Sequence, residues 1–161
     1  MNLFDLTNKV AIVTGATGLI GRNHCKALAE AGASVVVADL NIERCTEALL
    51  DLPHHDRHTA IHFDITNEEE IKHARTSILA KYGKIDILVN NAGVFEMGPI
   101  DTIDAEQFDR LFDVNVKGVI ATTVAALPQM NDGGRIINIS SGAADATMTG
   151  ASLYSATKSA L

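Results

Sequence analysis

Residues 9–21 read KVAIVTGATGLIG, and this one stretch constrains the fold more than any other part of the chain. Val10 to Val13 form an apolar run of strand length, rich in β-branched residues and suited to a parallel strand covered on both faces. Gly15, Gly18 and Gly21 then punctuate a tight turn, and LIGRNHCKALAEAGA reads as a helix. A strand that passes through glycines into a helix N-terminus makes a place for phosphate. Glycine lets the backbone approach closely, and free N–H groups at the positive end of the helix dipole face an anion. The plainer alternative is a βα corner that needs glycine only for its turn.

The rest of the chain repeats the unit. Ala33 to Asp39 is a second buried strand and Ile42 to Leu50 a helix. A polar patch, Leu52 to His58, precedes a third strand, Thr59 to Phe63. Thr66, with Glu69 three residues on, has the pattern of a capping box for a helix running to about Tyr82 and stopping at Gly83. Ile85 to Asn90 is strand four. Asp104 and Gln107 mark the start of a long helix to about Leu127, with Asn115 in its interior, where Asn is disfavoured unless its amide has a partner. Gly133 and Gly134 turn the chain into strand five, Arg135 to Ser140, and a last helix begins near Ala151. Strands alternating with helices imply one α/β domain over residues 1–161, a doubly wound parallel sheet.

Composition narrows the function. Hydrophobic residues make up 47% and aromatics 4%, with no Trp, so the core is aliphatic. The formal charge of −7 and the absence of a basic run argue against nucleic acid as a partner. No uninterrupted apolar run reaches the roughly 18 residues that would span a bilayer, and MNLFDLTNKV lacks a signal-peptide pattern. The expectation is a cytoplasmic protein, without membrane contact, whose Cys25 and Cys45 stay reduced. His54, His55, His58 and His62 have no helical i,i+4 pairing and no Cys partner, so they read as a solvated loop and not as a metal site.

Several residues carry chemistry. Asp39 ends strand two, 18 residues past Gly21, where an acid can bond a ribose and repel a 2′-phosphate; alternatively Asp39 or Asn41 caps the next helix. Asn90-Asn91-Ala92-Gly93 ends strand four at the edge where ligands of open α/β sheets bind. Ser140 and Ser141 end strand five. Tyr154 and Lys158, four apart, share a helix face. A neighbouring ammonium brings a phenol, ordinarily at pKa about 10, toward the working range for proton transfer to or from a carbonyl oxygen.

As a set, TGATGLIG, Asp39, Asp64, NNAG, Asn115, Ser141 and YSATK resemble the classical short-chain dehydrogenases/reductases in order and spacing, across essentially the whole chain. The resemblance implies a Rossmann-type sheet, five strands present of an expected seven, and an oxidoreductase acting on small alcohols or carbonyls with NAD(H) preferred over NADP(H). It implies that Tyr154 is the acid/base, Lys158 its pKa-lowering partner and a holder of the nicotinamide ribose, Ser141 the residue orienting the substrate oxygen, and Asn115 the holder of a relay water. Gly15, Thr17, Gly18, Leu19, Ile20, Gly21, Asp39, Leu40, Asp64, Ile65, Asn91, Ala92 and Gly93 would line the cofactor together with Tyr154 and Lys158.

Two departures qualify this. Leu19 occupies the middle glycine of the TGxxxGxG pattern, so TGATGLIG also fits the TGxxGxxG of extended members that act on nucleotide sugars as epimerases or dehydratases. Members of the classical type run to about 250 residues, so the chain reads as truncated, with two strands and the substrate loop absent. The alternative to an enzyme is then a nucleotide-binding fragment without catalysis. A homodimer or homotetramer is expected of the full-length form.

Overall fold

The structure, a computed structural model, describes residues 4–161; the first three residues of the N-terminal stretch read above lie outside it. Twelve residues of helix α1 (Leu19–Glu30) follow β1 (Val10–Thr14). Next come β2 (Ser34–Asp39), α2 (Ile42–Leu50), β3 (Thr59–His62), α3 (Glu68–Tyr82) and β4 (Ile85–Asn90). The second half holds α4 (Ala105–Phe112), a π-helical segment (Asp113–Gly118), α5 (Val119–Ala126), β5 (Met130–Asn138) and α6 (Ser152–Ser159). All strand pairs are parallel, in the order β3-β2-β1-β4-β5. The chain therefore builds outward from β1 in one direction and then crosses to its other side at β4. A crevice opens at the C-terminal ends of β1 and β4, where that order reverses.

Both faces of the sheet are covered, which is why β1 and β2 are apolar at every central position. Val13, Val35 and Val37 point into one core with Cys25 and Cys45 of α1 and α2. Ile12, Val36 and Leu88 point into the other with Ile71 and Ile78 of α3 and Ala126 of α5. Each such aliphatic side chain contributes on the order of 1.5–3 kcal/mol. At the opposite end of the sheet, buried Asp86 accepts from the Val10 N–H at 2.9 Å and pairs with Lys84 and Lys9. Burial alone would raise its pKa, but these donors together hold the carboxyl below its ordinary value.

Several expectations need correction. Asn67, not Thr66, caps α3, accepting from the N–H groups of Glu69 and Glu70. Thr66 instead donates its hydroxyl to Asp64 in a local turn. Gly83 closes α3 in the left-handed region as its sequence implies. Asp104 caps α4 through Gln107 N–H. Strand five begins at Met130, ahead of the two glycines, because Met130 already pairs with Ile85 before an irregularity restores the register at Ile87 and Arg135. The last helix ends at Ser159, with Ala160 as its C-cap.

The long helix is continuous from Ala105 to Gln129 and is long and apolar enough by composition to cross a membrane. Its Val119, Thr122 and Ala126 are buried, and α5 packs against α3, β4 and β5, which accounts for the apolar residues on that face. His58 is not solvated: its ring is buried, with Nδ1 accepting from Val35 N–H at 3.0 Å and Nε2 bonded to Pro53 O at 2.9 Å. His62 pairs with Glu70. Among the described residues, no group of three or more His, Cys, Asp or Glu could hold a metal ion.

Candidate active site

The glycine turn has two glycines that sterics require and one that they do not. Gly15 has φ +61°, and a Cβ there would lie 2.7 Å from Ala92 Cα. A Cβ at Gly21 would collide with Gly15 O. At Gly18 the nearest atom, Gly15 O, would be 3.5 Å away, an ordinary contact. Leu19, in place of the usual glycine, is the first residue of α1 and is 85% exposed. Its side chain points away from the backbone crossing, so the turn keeps its length and shape without that glycine. Gly18 is the N-cap of α1 and no side chain caps the helix. Its first-turn N–H groups are thus left for a ligand.

A groove of about 540 Å³ runs from this turn across the crevice. Every residue from Gly15 to Gly93 expected to line the cofactor borders it, and Arg44, Phe63, Val94 and Val114 do so as well, whereas Tyr154 and Lys158, expected with them, do not. Arg44 is the one charged residue that sequence reasoning passed over. Its position five residues beyond Asp39, in the first turn of α2, was the available signal.

Asp39 is held in place by Thr17. Its Oδ2 accepts both the Thr17 N–H and the Thr17 hydroxyl at 2.8 Å, and Oδ1 accepts the Leu40 N–H at 2.7 Å. The helix cap is Asn41, which accepts from Arg44 N–H, so Asp39 is not committed to capping. On the far side, Asn91 donates its side-chain amide to Thr14 O and Gly15 O, both at 3.0 Å. The end of β4 is thereby fastened to the glycine turn.

Gly93 joins the groove to the chemistry-bearing residues. A Cβ there would lie 3.2 Å from Asn115 Oδ1 and 3.3 Å from Lys158 Nζ. Asn115 is fully buried in the π-helical segment. Its Oδ1 accepts from Val94 N–H, and its Nδ2 donates to Val94 O and to Thr157 Oγ1. This satisfies the amide that looked costly inside a helix, and π segments recur at functional sites. Lys158 is 6% exposed, and Nζ donates to Ile139 O at 3.0 Å. Burial pushes its pKa below the ordinary lysine value.

Lys158 Nζ lies 5.9 Å from the centroid of the Tyr154 ring. Phe95 also meets that ring, edge-on with centroids 4.7 Å apart. The two serines differ in use. Ser140, expected to end β5 but lying just past it because the strand stops at Asn138, donates its Oγ–H to Lys158 O at 2.7 Å and ties the following loop to α6. Ser141 Oγ accepts from Ala143 N–H in the turn against which α6 packs. Tyr154, Lys158, Asn115 and Gly93 thus form one connected group. Cys25 and Cys45 stand apart from it as free thiols, pushed by burial to about 12 and about 11.

A nucleotide fits this groove on three observations. The volume is in the range of small-molecule sites, the turn presents uncapped N–H groups, and an acid stands at the end of β2. Comparison with known proteins agrees. Residues 9–161 match the family model described as short chain dehydrogenase. The galactitol 2-dehydrogenase of Agrobacterium fabrum is 37% identical, over 97% of this chain and 61% of its own. The cyclopentanol dehydrogenase of a Comamonas strain is 35% identical, over 97% and 64%. A crystal structure of a short-chain dehydrogenase from Streptomyces avermitilis superposes with a TM-score of 0.88 at 36% identity, covering 94% of this chain and 56% of that one. The chain spans less than two thirds of the length of these relatives. With this match, and a five-stranded parallel α/β sheet in the same fold, the chain belongs to the short-chain dehydrogenase/reductase family, of the classical rather than the extended type.

Proposed function

We propose that this chain is the cofactor-binding and catalytic part of an NAD-dependent oxidoreductase that interconverts a secondary alcohol and a ketone. The observation that carries the reading is Gly93, where the nucleotide groove comes within contact distance of Asn115 and Lys158. Nicotinamide, when bound, supplies or takes the hydride. In oxidation the carbinol C–H bond breaks with its electron pair, and the hydroxyl proton goes to Tyr154 and on to solvent. Lys158 stabilises the phenolate by charge and would hold the ribose. Ser141, whose oxygen takes the Ala143 N–H, keeps its own O–H for the substrate oxygen. Asn115 fixes the Val94 backbone beside them.

The preference for NAD rests on Asp39. A carboxylate has about four acceptor sites, and Thr17 and Leu40 use three. One is left for a ribose hydroxyl, and the negative charge repels a 2′-phosphate. Arg44 on the same wall supports a second reading, NADP, since a guanidinium can meet that phosphate. A cytoplasmic homo-oligomer completes the proposal; exposed Phe108, Ile120, Val124 and Leu127 on the long helix support self-association.

Titration of the purified chain with NADH and NADPH, followed by cofactor fluorescence, tests the binding half. NADH should bind more tightly. Alcohol-dependent NADH formation, lost in Tyr154→Phe, tests the chemistry. A variant with wild-type turnover would overturn the role of the phenol. A chain that binds NADH yet turns over no alcohol would instead be a binding fragment.

A further inference from the structure

We propose that the substrate is an apolar secondary alcohol or ketone, a cyclic or branched hydrocarbon carbinol, and not a polyol. The inference rests on the oxidoreductase reading above and concerns the surface around Tyr154 that the nucleotide groove does not include. Two loops flank that tyrosine, one after β4 and one after β5. They are fastened together by a hydrogen bond of 2.8 Å from Gly98 N–H to Gly150 O. A Cβ on Gly150 would meet Met97 Cε at 3.7 Å, so the methionine lies over the junction.

Three large apolar side chains lie open on these loops. Phe95, in edge-on contact with the Tyr154 ring, is 53% exposed; Met97 is 57% exposed and Met148 45%. Phe95 meets the Tyr154 ring directly, and large apolar groups left open on the loops beside it favour a partner that can cover them. Methionine adapts its shape to such a partner. Of the acids on these loops, Glu96, between Phe95 and Met97, forms an ion pair with Arg110 of α4 and is thereby occupied, while Asp101 and Asp145 are exposed. Thr147 and Thr149 beside Met148 offer hydroxyls for one or two hydrogen bonds. A polyol brings a hydroxyl on every carbon. Each one pressed against Phe95 or a methionine would lose water without gaining a partner, which disfavours binding.

The test uses the NADH-loaded chain, in which an alcohol binds without reacting, and two six-carbon probes, cyclohexanol and mannitol. Binding is read by saturation-transfer NMR. Cyclohexanol should bind at least about tenfold more tightly. Phe95→Ser with Met148→Ser, and the milder Met148→Thr alone, should narrow that margin while NADH affinity and melting temperature hold. Equal or tighter binding of mannitol, binding of neither alcohol, or a margin unchanged in folded variants would overturn the proposal. Failure of NADH itself to bind is a distinct result, and it would sink the oxidoreductase reading together with the substrate class.

Discussion

Asp39 accepts two hydrogen bonds from Thr17, one from its N–H and one from its hydroxyl, each at 2.8 Å. The acid that would select the cofactor is therefore also a clamp on the glycine turn. Asp39→Ala should weaken NADH by about tenfold, because the turn is released and the ribose loses its acceptor, and should weaken NADPH less, because the charge that repels the 2′-phosphate goes too. Asp39→Asn retains an acceptor for Thr17 but removes the charge and the acceptor left for the ribose, so it should weaken NADH less than Asp39→Ala does and improve NADPH. Parallel fluorescence titrations of the two variants check the distinction.

The glycines of the turn should separate by substitution. Gly15→Ala and Gly21→Ala each place a Cβ into backbone, and Gly15 also has a positive φ. Each should cost about 2 kcal/mol or more. Gly18→Ala adds only an ordinary contact and should cost less than about 1 kcal/mol, the loss of a better N-cap. Urea unfolding curves of the three variants read this directly.

Asn115 joins the Val94 backbone to Thr157 of α6 through three hydrogen bonds. Asn115→Ala leaves buried donors and acceptors unpaired and should lower stability by about 2–4 kcal/mol. Asn115→Asp keeps the acceptor for Val94 N–H but not the donors, and should fall between. If thermal melting showed Asn115→Ala as stable as wild type, the residue would be free for a purely catalytic part.

His58 should make the sheet edge acid-sensitive. Nδ1 accepts from Val35 N–H, so the folded ring must be neutral there. Burial pushes its pKa below the ordinary 6.5, outweighing the opposing effect of the Pro53 carbonyl bond. The unfolded chain therefore binds the proton more readily. The stability His58 contributes is full above about pH 6.5 and is lost as pH falls from there toward the depressed folded value. The unfolding free energy should drop between pH 7.5 and pH 5.5, and His58→Gln should flatten that slope.

Much of the fold is legible because local rules and tertiary demands agree. The apolar runs of β1, β2 and β4 and the Gly83 stop need only side-chain hydrophobicity and backbone freedom to be read. Helix ends were less secure, since Thr66 and Asn67 are both good caps and only the turn around Asp64 chooses between them. The start of β5 was hidden because Met130 joins the sheet by pairing with Ile85, a long-range partner. His58 looked polar and solvated because nothing in a linear chain announces the distant Val35 N–H that buries it.

The sequence by itself determined the βα unit and the alternation that makes a doubly wound sheet, which depend on periodicity along the chain, and it carries the motif set whose resemblance to a family points to the proposed hydride transfer. Only the tertiary structure decided that Asp39 is held by Thr17, that Arg44 shares its wall, and that Gly93 is where the groove touches Asn115 and Lys158. It also decided that Leu19 is harmless at a glycine position, since its side chain leaves the crossing of backbone that confines Gly15 and Gly21. Such relationships join residues far apart in the chain, and their physical cause is the parallel sheet that brings the C-terminal ends of β1, β2 and β4 to one edge.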